Sequence, residues 1–333
     1  MNAKSCLCLI AIFVSAGISQ EKPEWDNIPI FKVNLERPHA SMMIYPSPEL
    51  AIEAKRAGSP WFHSMNGDWK FNCADSPATR PVDFFRMDFD DTAWHTIPVP
   101  SNYQLQGCDI PIYTNAAYSF PMNTAGPPVV PRERNSVGSY RKYFTIPDDW
   151  TGRQTFVHFD GVDSAFYLWV NGSKVGYNED SRTPAEFNIT RHIKPGKNLL
   201  AVEVYRFSDG SFLEDQDMFR LSGIYRDVYL WCTENQHIRD FEVQTDLDEN
   251  YRNAALRVKM NVINYSGRRA PGSVRVELLD ASGRSVLQRQ SKEFQAGLRR
   301  NRGIRGNAGF RSKEMDCRNS LPVQNAAVLK RSR

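Results

Sequence analysis

Gln154-Thr155-Phe156-Val157-His158-Phe159 stops at Asp160-Gly161; Ala165-Phe166-Tyr167-Leu168-Trp169-Val170 meets Asn171-Gly172; Lys174-Val175-Gly176-Tyr177 returns. Short apolar and aromatic runs closed by turn residues are strand chemistry. Asn-Gly between two of them is the strongest short hairpin signal, because both residues tolerate the positive φ of a type I′ turn. The same reading extends outward. Tyr140-Arg141-Lys142-Tyr143-Phe144-Thr145-Ile146 ends at Pro147, and residues 199–205 place Leu200, Val202 and Val204 on one face. Strands at intervals of about ten residues predict an antiparallel sandwich. No strands alternate with long helices, which argues against a parallel α/β sheet.

A second unit begins near residue 233. Arg257-Val258-Lys259-Met260-Asn261-Val262 alternates cleanly, turns at Asn264-Tyr265-Ser266-Gly267, and is followed by the alternating Val274, Val276 and Leu278. This resembles the opening of an immunoglobulin-like sandwich, which takes about seven strands over ~100 residues. About four fit before the pattern fails near Gln295, so the unit is expected to be incomplete. Residues 298–333 follow neither period and are expected to be disordered, either a natural basic arm or an out-of-frame end. That tail alters the meaning of the overall charge. The 333 residues carry 42 Lys and Arg against 38 Asp and Glu. Ten of the bases and only two of the acids lie in the tail, so the body is slightly acidic. A nucleic-acid footprint on the folded part is disfavoured. Hydrophobic residues at 41% and charged residues at 24% are globular composition.

At the other end, Lys4 precedes the apolar run Cys6-Leu7-Cys8-Leu9-Ile10-Ala11-Ile12-Phe13-Val14 and the small residues Ser15-Ala16-Gly17. This is the pattern of a secretory signal peptide over residues 1–19, too short to favour a membrane span. The mature chain is expected to be exported, periplasmic or extracellular. Cys73, Cys108, Cys232 and Cys317 are widely spaced with no C-x-x-C, and are expected to be isolated, mostly buried thiols.

Chemistry could reside in three loop segments. Residues 99–131 are dense in Pro, Asn and Gly, which hold extended loops with polar groups aimed outward, although such a loop can equally just cover a sheet edge. Glu179-Asp180-Ser181-Arg182 follows the hairpin. Asp209-Gly210-Ser211-Phe212-Leu213-Glu214-Asp215-Gln216-Asp217 gathers four acids. That run could bind calcium or a sugar but lacks the EF-hand pattern, and ion pairs with Arg206, Arg220 and Arg226 are the simpler account. No G-x-S-x-G, P-loop or G-x-G-x-x-G is present, and the six histidines have no metal-ligand spacing. His158, in mid-strand, is expected to be structural.

The runs Val99-Pro100-Ser101-Asn102-Tyr103-Gln104-Leu105-Gln106-Gly107, Pro111-Ile112-Tyr113-Thr114-Asn115, Glu179-Asp180-Ser181-Arg182-Thr183-Pro184-Ala185-Glu186-Phe187 and Leu213-Glu214-Asp215-Gln216-Asp217-Met218-Phe219-Arg220 resemble bacterial β-galactosidases of glycoside hydrolase family 2. The resemblance covers about residues 23–294. It implies an all-β chain: a sugar-binding jelly roll over 20–232, then part of an immunoglobulin-like domain over 233–297. It also implies that the catalytic (β/α)8 barrel, with both catalytic glutamates and the magnesium site, lies outside the chain. The implied activity is hydrolysis of terminal β-D-galactosides with retention, in which this part supplies sugar-contacting loops. On the same ground Asp180 would contact galactose hydroxyls and ligate a sodium ion, and Asn115 would also touch the sugar. No catalytic residue is assigned here, family members are often homo-oligomeric, and the chain alone is expected to be inactive. Tyr103 and Phe219 stand where the family often has Trp. The alternatives are a stand-alone carbohydrate-binding module or part of a family 2 β-glucuronidase or β-mannosidase.

Overall fold

A computed structural model describes residues 22–115, 117–120, 129–280 and 282–285, together with the backbone strands Gln290–Ala296, Asn307–Arg311, Met315–Asp316 and Gln324–Lys330. The leader expected at 1–19 lies outside the described residues.

Two antiparallel sheets make the first unit. The larger runs, in spatial order, Lys32–Val33, Ser173–Asn178, Ala165–Val170, Lys197–Tyr205, Val137–Thr145, Gly67–Ala74 and His95–Val99. The smaller runs Ala185–Asn188, Gln154–Phe159, Val228–Thr233 and Phe62–Ser64. The Asn-Gly hairpin forms as its sequence dictates: Asn171 and Gly172 have φ of 51° and 85°, and Ser173 pairs with Val170. Asn171 also joins neighbouring strands, donating from Nδ2 to the His192 carbonyl at 2.9 Å and accepting from the Leu199 amide at 2.9 Å.

Phe166, Leu168 and Val170 point between the sheets and pack with Trp69, Phe71, Val157, Phe159, Phe187, Val202 and Leu230. The intervening Ala165 and Tyr167 point the other way, yet are buried as well, in a second cluster with Trp25, Phe120, Tyr177, Tyr205 and Phe207. The larger sheet is therefore covered on both faces, which is why Ala165–Val170 is apolar almost throughout. Part of the outer cover is an N-terminal strap. Trp25 stacks on Tyr205 with ring centroids 5.1 Å apart. Glu24 accepts from the Tyr167 hydroxyl at 2.8 Å and the Lys174 ammonium at 2.6 Å, and Asp26 pairs with Arg132 at 2.6 Å.

The second unit also has two sheets. Gln236–Leu247 pairs with Asn253–Asn264, which pairs in turn with Asn307–Arg311 and Met315–Asp316; Ala270–Leu279 lies between Gln290–Ala296 and Gln324–Lys330. Leu256, Val258, Met260, Val262, Val274 and Leu278 form its core, every second residue of the strand pattern. Three of these strands fall within residues 298–333. The sole α-helix among the described residues is Pro48–Glu53, and no described helix is long and apolar enough to cross a membrane.

The cysteine expectation is corrected. Cys73 and Cys108 form a disulfide with Cα atoms 5.8 Å apart, and Cys232 is a buried free thiol. Sequence spacing gave no hint, because a strand and a loop 35 residues apart are brought together only by the fold.

Glu186 joins the two units. It is 5% exposed and faces His158 across the smaller sheet. Oε2 accepts from Trp231 Nε1 at 2.8 Å and lies 3.0 Å from His158 Nδ1. Oε1 lies 2.7 Å from Arg239 Nη1, at the start of the second unit, and 3.4 Å from His39 Nε2. His158 is structural, as its position suggested. Burial opposes ionisation of Glu186, but the hydrogen bonds of His158 and His39 and the charge of Arg239 outweigh it, holding the carboxyl well below the usual range. A carboxyl lowered in the folded state contributes stability that is present above its unfolded value of about 4.5 and lost as pH falls. Glu186→Gln strands a buried guanidinium. It is expected to cost about 3–5 kcal/mol at pH 7 in urea unfolding, and to flatten the loss of stability below pH ~4.5.

Candidate functional site

Three loops meet beside one end of the larger sheet. The first leaves the edge strand His95–Val99 and lies along residues 222–224. Ser101 and Tyr103 donate their amides to the Ile224 and Ser222 carbonyls at 2.8 and 3.0 Å, and the Ser222 amide donates to Gln104 Oε1 at 2.8 Å. The approach is close enough to require glycine at 223: its φ is 118°, and a Cβ there would sit 3.0 Å from the Ser101 carbonyl. Tyr103 is fully buried and Cys108 is bonded to Cys73. By the chain-entropy account a cross-link of this span stabilises a fold by roughly 4 kcal/mol. Asp109 then accepts from Ser136 Oγ at 2.7 Å and pairs with the buried Arg206 guanidinium, which also donates to the Ile110 carbonyl at 3.0 Å. Burial opposes ionisation of Asp109, but these bonds hold its carboxyl below the usual range. The loop closes with Ile112–Thr114, paired with Met218–Arg220, and delivers Asn115. Asn115 is exposed, and no hydrogen bond joins its side chain to a described residue.

The second loop follows the Ser173–Asn178 strand. Its Glu179, Ser181 and Arg182 are held from below. Ser181 donates from its amide and its hydroxyl to the two oxygens of Glu214, each at 2.6 Å, and the Tyr225 hydroxyl donates to the Ser181 carbonyl. Arg182 pairs with Asp163 at 3.1 Å and reaches Met218 Sδ at 3.0 Å. Burial lifts the Asp163 carboxyl to about 7 against the pull of Arg182, with Glu214 adding to the rise. Glu179 turns inward to the Tyr177 hydroxyl, and burial together with the neighbouring Asp209 carboxylate raises it. Asp180 is left exposed at φ 84°. Its Oδ1 accepts from the amides of Arg182 and Thr183 at 3.2 Å each, and Oδ2 accepts from Thr183 Oγ1 at 2.5 Å. The turn is thus built around a carboxylate whose remaining lone pairs face solvent.

The loops that carry the two sequence-predicted residues meet at Met218, although neither Asn115 nor Asp180 lines the cleft beside it. Met218 pairs in register with Thr114, the neighbour of Asn115, and its sulfur meets Arg182, two residues past Asp180. A cleft beside this meeting point is lined by Asp163, Arg182, Arg206, Glu214, Arg220 and Ser222. The third loop, 208–222, therefore acts mainly as a floor. Of its acids, Asp215 pairs with Arg220 as the simpler account expected, whereas Glu214 holds Ser181 and Asp217 accepts from the Tyr113 hydroxyl at 2.7 Å. Sequence reasoning missed the clamping role of Glu214 and the exposed pair Tyr113 and Phe219, whose rings lie 5.4 Å apart. Four acids in nine residues were the available signal for the first, and the period-two Tyr113 beside Asn115 for the second.

Residues 62–234 match the family model described as glycosyl hydrolases family 2, sugar binding domain. The chain belongs to glycosyl hydrolase family 2. It is 45% identical over 269 residues to a β-galactosidase of Priestia megaterium, covering 80% of this chain and 26% of that protein. It is 41% identical over 270 residues to a β-galactosidase of Halalkalibacterium halodurans, covering 81% and 26%. The family 2 chain thus spans about a quarter of the length of these curated relatives. Among solved structures, Bacteroides uniformis β-glucuronidase superposes with TM-score 0.61 at 22% identity, covering 77% of this chain and 28% of that one. A calcium-binding mutant of Bacteroides uniformis β-glucuronidase 2 gives TM-score 0.61 at 20% identity, covering 81% and 30%. At such identity these structures speak for the fold alone.

The expected ions fit this chain only in part. No group of three or more metal-ligating side chains occurs among the described residues. Asp180 offers one carboxylate, already engaged by its own turn, so the described residues do not by themselves form a sodium or magnesium site. The turn itself is directly testable. Asparagine tolerates positive φ and keeps one acceptor, whereas alanine keeps neither advantage. In urea unfolding, Asp180→Asn is expected to lie within ~0.5 kcal/mol of the parent and Asp180→Ala to lose about 1–2 kcal/mol. Amide exchange at Arg182 and Thr183 should be faster only in the alanine variant.

Proposed function

We propose that this chain is the sugar-binding part of a retaining β-galactosidase, with Asn115 and Asp180 as its contacts to a terminal galactose. The observation that carries this reading is the convergence on Met218 of the loops that leave Asn115 and Asp180 facing solvent, in a chain whose 41–45% identical relatives are named β-galactosidases. Carboxylate and amide oxygens accept hydrogen bonds from sugar hydroxyls, and the Asn115 amide can donate as well. Glu214 and Asp163 hold the Asp180 loop before sugar arrives, so less ordering is left for binding to oppose.

Retaining hydrolysis takes two carboxyl groups about 5–5.5 Å apart, one as acid and base and one as nucleophile. The reading assigns neither to residues 20–297 and places both on a further part of the protein that the Asn115 and Asp180 loops would face. A sodium ion there would draw one oxygen from Asp180 and the rest of its shell from that same part. Export agrees with the disulfide, since such bonds persist in oxidising compartments.

The test uses the 333-residue chain. With a chromogenic β-galactoside it should give no turnover above the uncatalysed rate. In titration with galactose followed by NMR, the amides of residues 114–115 and 180–183 should shift. Asp180→Asn should weaken that binding about ten- to hundred-fold, the worth of one hydrogen bond to a charged group. Turnover abolished by replacing an acid within residues 20–297 would overturn the assignment of catalysis. Absent or equal shifts in parent and variant would overturn the sugar contacts.

A further inference from the structure

We infer that the Cys73–Cys108 disulfide is a redox-dependent fastener for the loop that delivers Asn115, so that residues 104–110 are held fast only after oxidation. The inference rests on the proposed function only for calling that loop sugar-facing.

The sheet edge shows why a fastener is placed there. His95–Val99 pairs with Gly67–Ala74 only as far as Phe71, opposite His95. Beyond Phe71 the outer side of that strand has no strand partner among the described residues, and Cys73 is the second residue past the end of the pairing. The loop reaches this place and bonds to it through Cys108, which is buried. Gly138 stands opposite Cys73 on the inner side and leaves room for the loop: a Cβ there would come within 3.2 Å of the Tyr103 ring and 2.9 Å of Phe71.

Without the bond the loop has few holds. Tyr103 is buried, but Leu105 and Ile110 are exposed, so little apolar burial fixes residues 104–110. The remaining ties are polar: the Cys108 amide to the Tyr103 carbonyl at 3.1 Å, the Ser222 amide to Gln104, Ser136 to Asp109, and Arg206 to Asp109 and the Ile110 carbonyl. Segments with few apolar contacts open at low free-energy cost without unfolding the rest. The strands behind the loop are buried on both faces and do not share this weakness. Cys232 is no competitor for either sulfur, because it is buried and burial pushes its thiol up to about 12.

Closure is a thiol–disulfide exchange with an external disulfide, carried by an oxidoreductase or by oxidised glutathione. The Cys73 or Cys108 thiolate attacks one external sulfur and releases the first thiolate. The other protein thiolate then attacks the mixed disulfide and releases the second. Two protein thiols lose two protons and two electrons, and the external disulfide is reduced to two thiols. In a reducing compartment the reverse holds and the loop is released.

Hydrogen exchange measured by mass spectrometry on the full chain tests this. Three samples are compared: the oxidised protein, the same protein reduced with a phosphine, and Cys73→Ser/Cys108→Ser. Alkylation under denaturing conditions, without reductant, should leave Cys73 and Cys108 unmodified in the first and modify both in the second. Exchange across residues 100–115 should be at least about ten-fold faster in the reduced and double-variant samples. Peptides covering 165–170 and 197–205 should not change. Free thiols in the oxidised sample, unchanged exchange at 100–115, or equal acceleration or unfolding everywhere would each overturn the inference. Sugar binding is not the readout, so failure of the galactose titration leaves this result standing, and the converse holds.

Discussion

A single buried carboxylate ties the architecture together. Glu186 sits in the smaller sheet of the first unit, yet its two oxygens are shared by His39 from the N-terminal segment, by His158 and Trp231 from neighbouring strands, and by Arg239 from the first strand of the second unit. A charge so buried is tolerable only with all of these partners present, because desolvation alone would favour the neutral acid. The requirement works in both directions. The strand Ala185–Asn188 cannot take its place without the segments that neutralise Glu186, and Arg239 has no other carboxylate as close. That same strand follows directly on the turn built around Asp180, so a constraint at the junction of the units also anchors one end of the candidate site.

The other end is anchored by different physics. The 100–110 loop carries exposed Leu105 and Ile110 and is held by a covalent bond, by a buried Arg206 and by backbone hydrogen bonds to residues 222–224. The two loops thus reach the common floor at Met218 with unlike kinds of rigidity. One depends on carboxylates accepting hydrogen bonds in its own turn and beneath it, the other on a cross-link and an ion pair.

Much of the first sandwich was legible in the sequence. Asn171-Gly172 demanded a turn, and the runs on either side demanded strands, as found. Alternation also located Asn253–Asn264, where every second residue from Ala254 to Asn264 is buried. Legibility stopped where partners are distant in the chain. Cys73 and Cys108 lie 35 residues apart, and Glu186 and Arg239 belong to different units, so no local pattern announces either pair. Asn115 and Asp180 became visible through family resemblance. What composition could not convey is that the neighbours of Asp180 all turn inward while its own carboxylate turns out.

The N-terminal strap bears on the order in which the chain can assemble. The groups that receive Glu24, Trp25 and Asp26 lie far along the chain: Arg132 is 106 residues beyond Asp26, Tyr167 and Lys174 are 143 and 150 beyond Glu24, and Tyr205 is about 180 beyond Trp25. Docking therefore cannot begin until the central strands of the larger sheet exist, and contacts of such long range are slow to close. The strap's share of the outer face is therefore sealed only after those strands have paired.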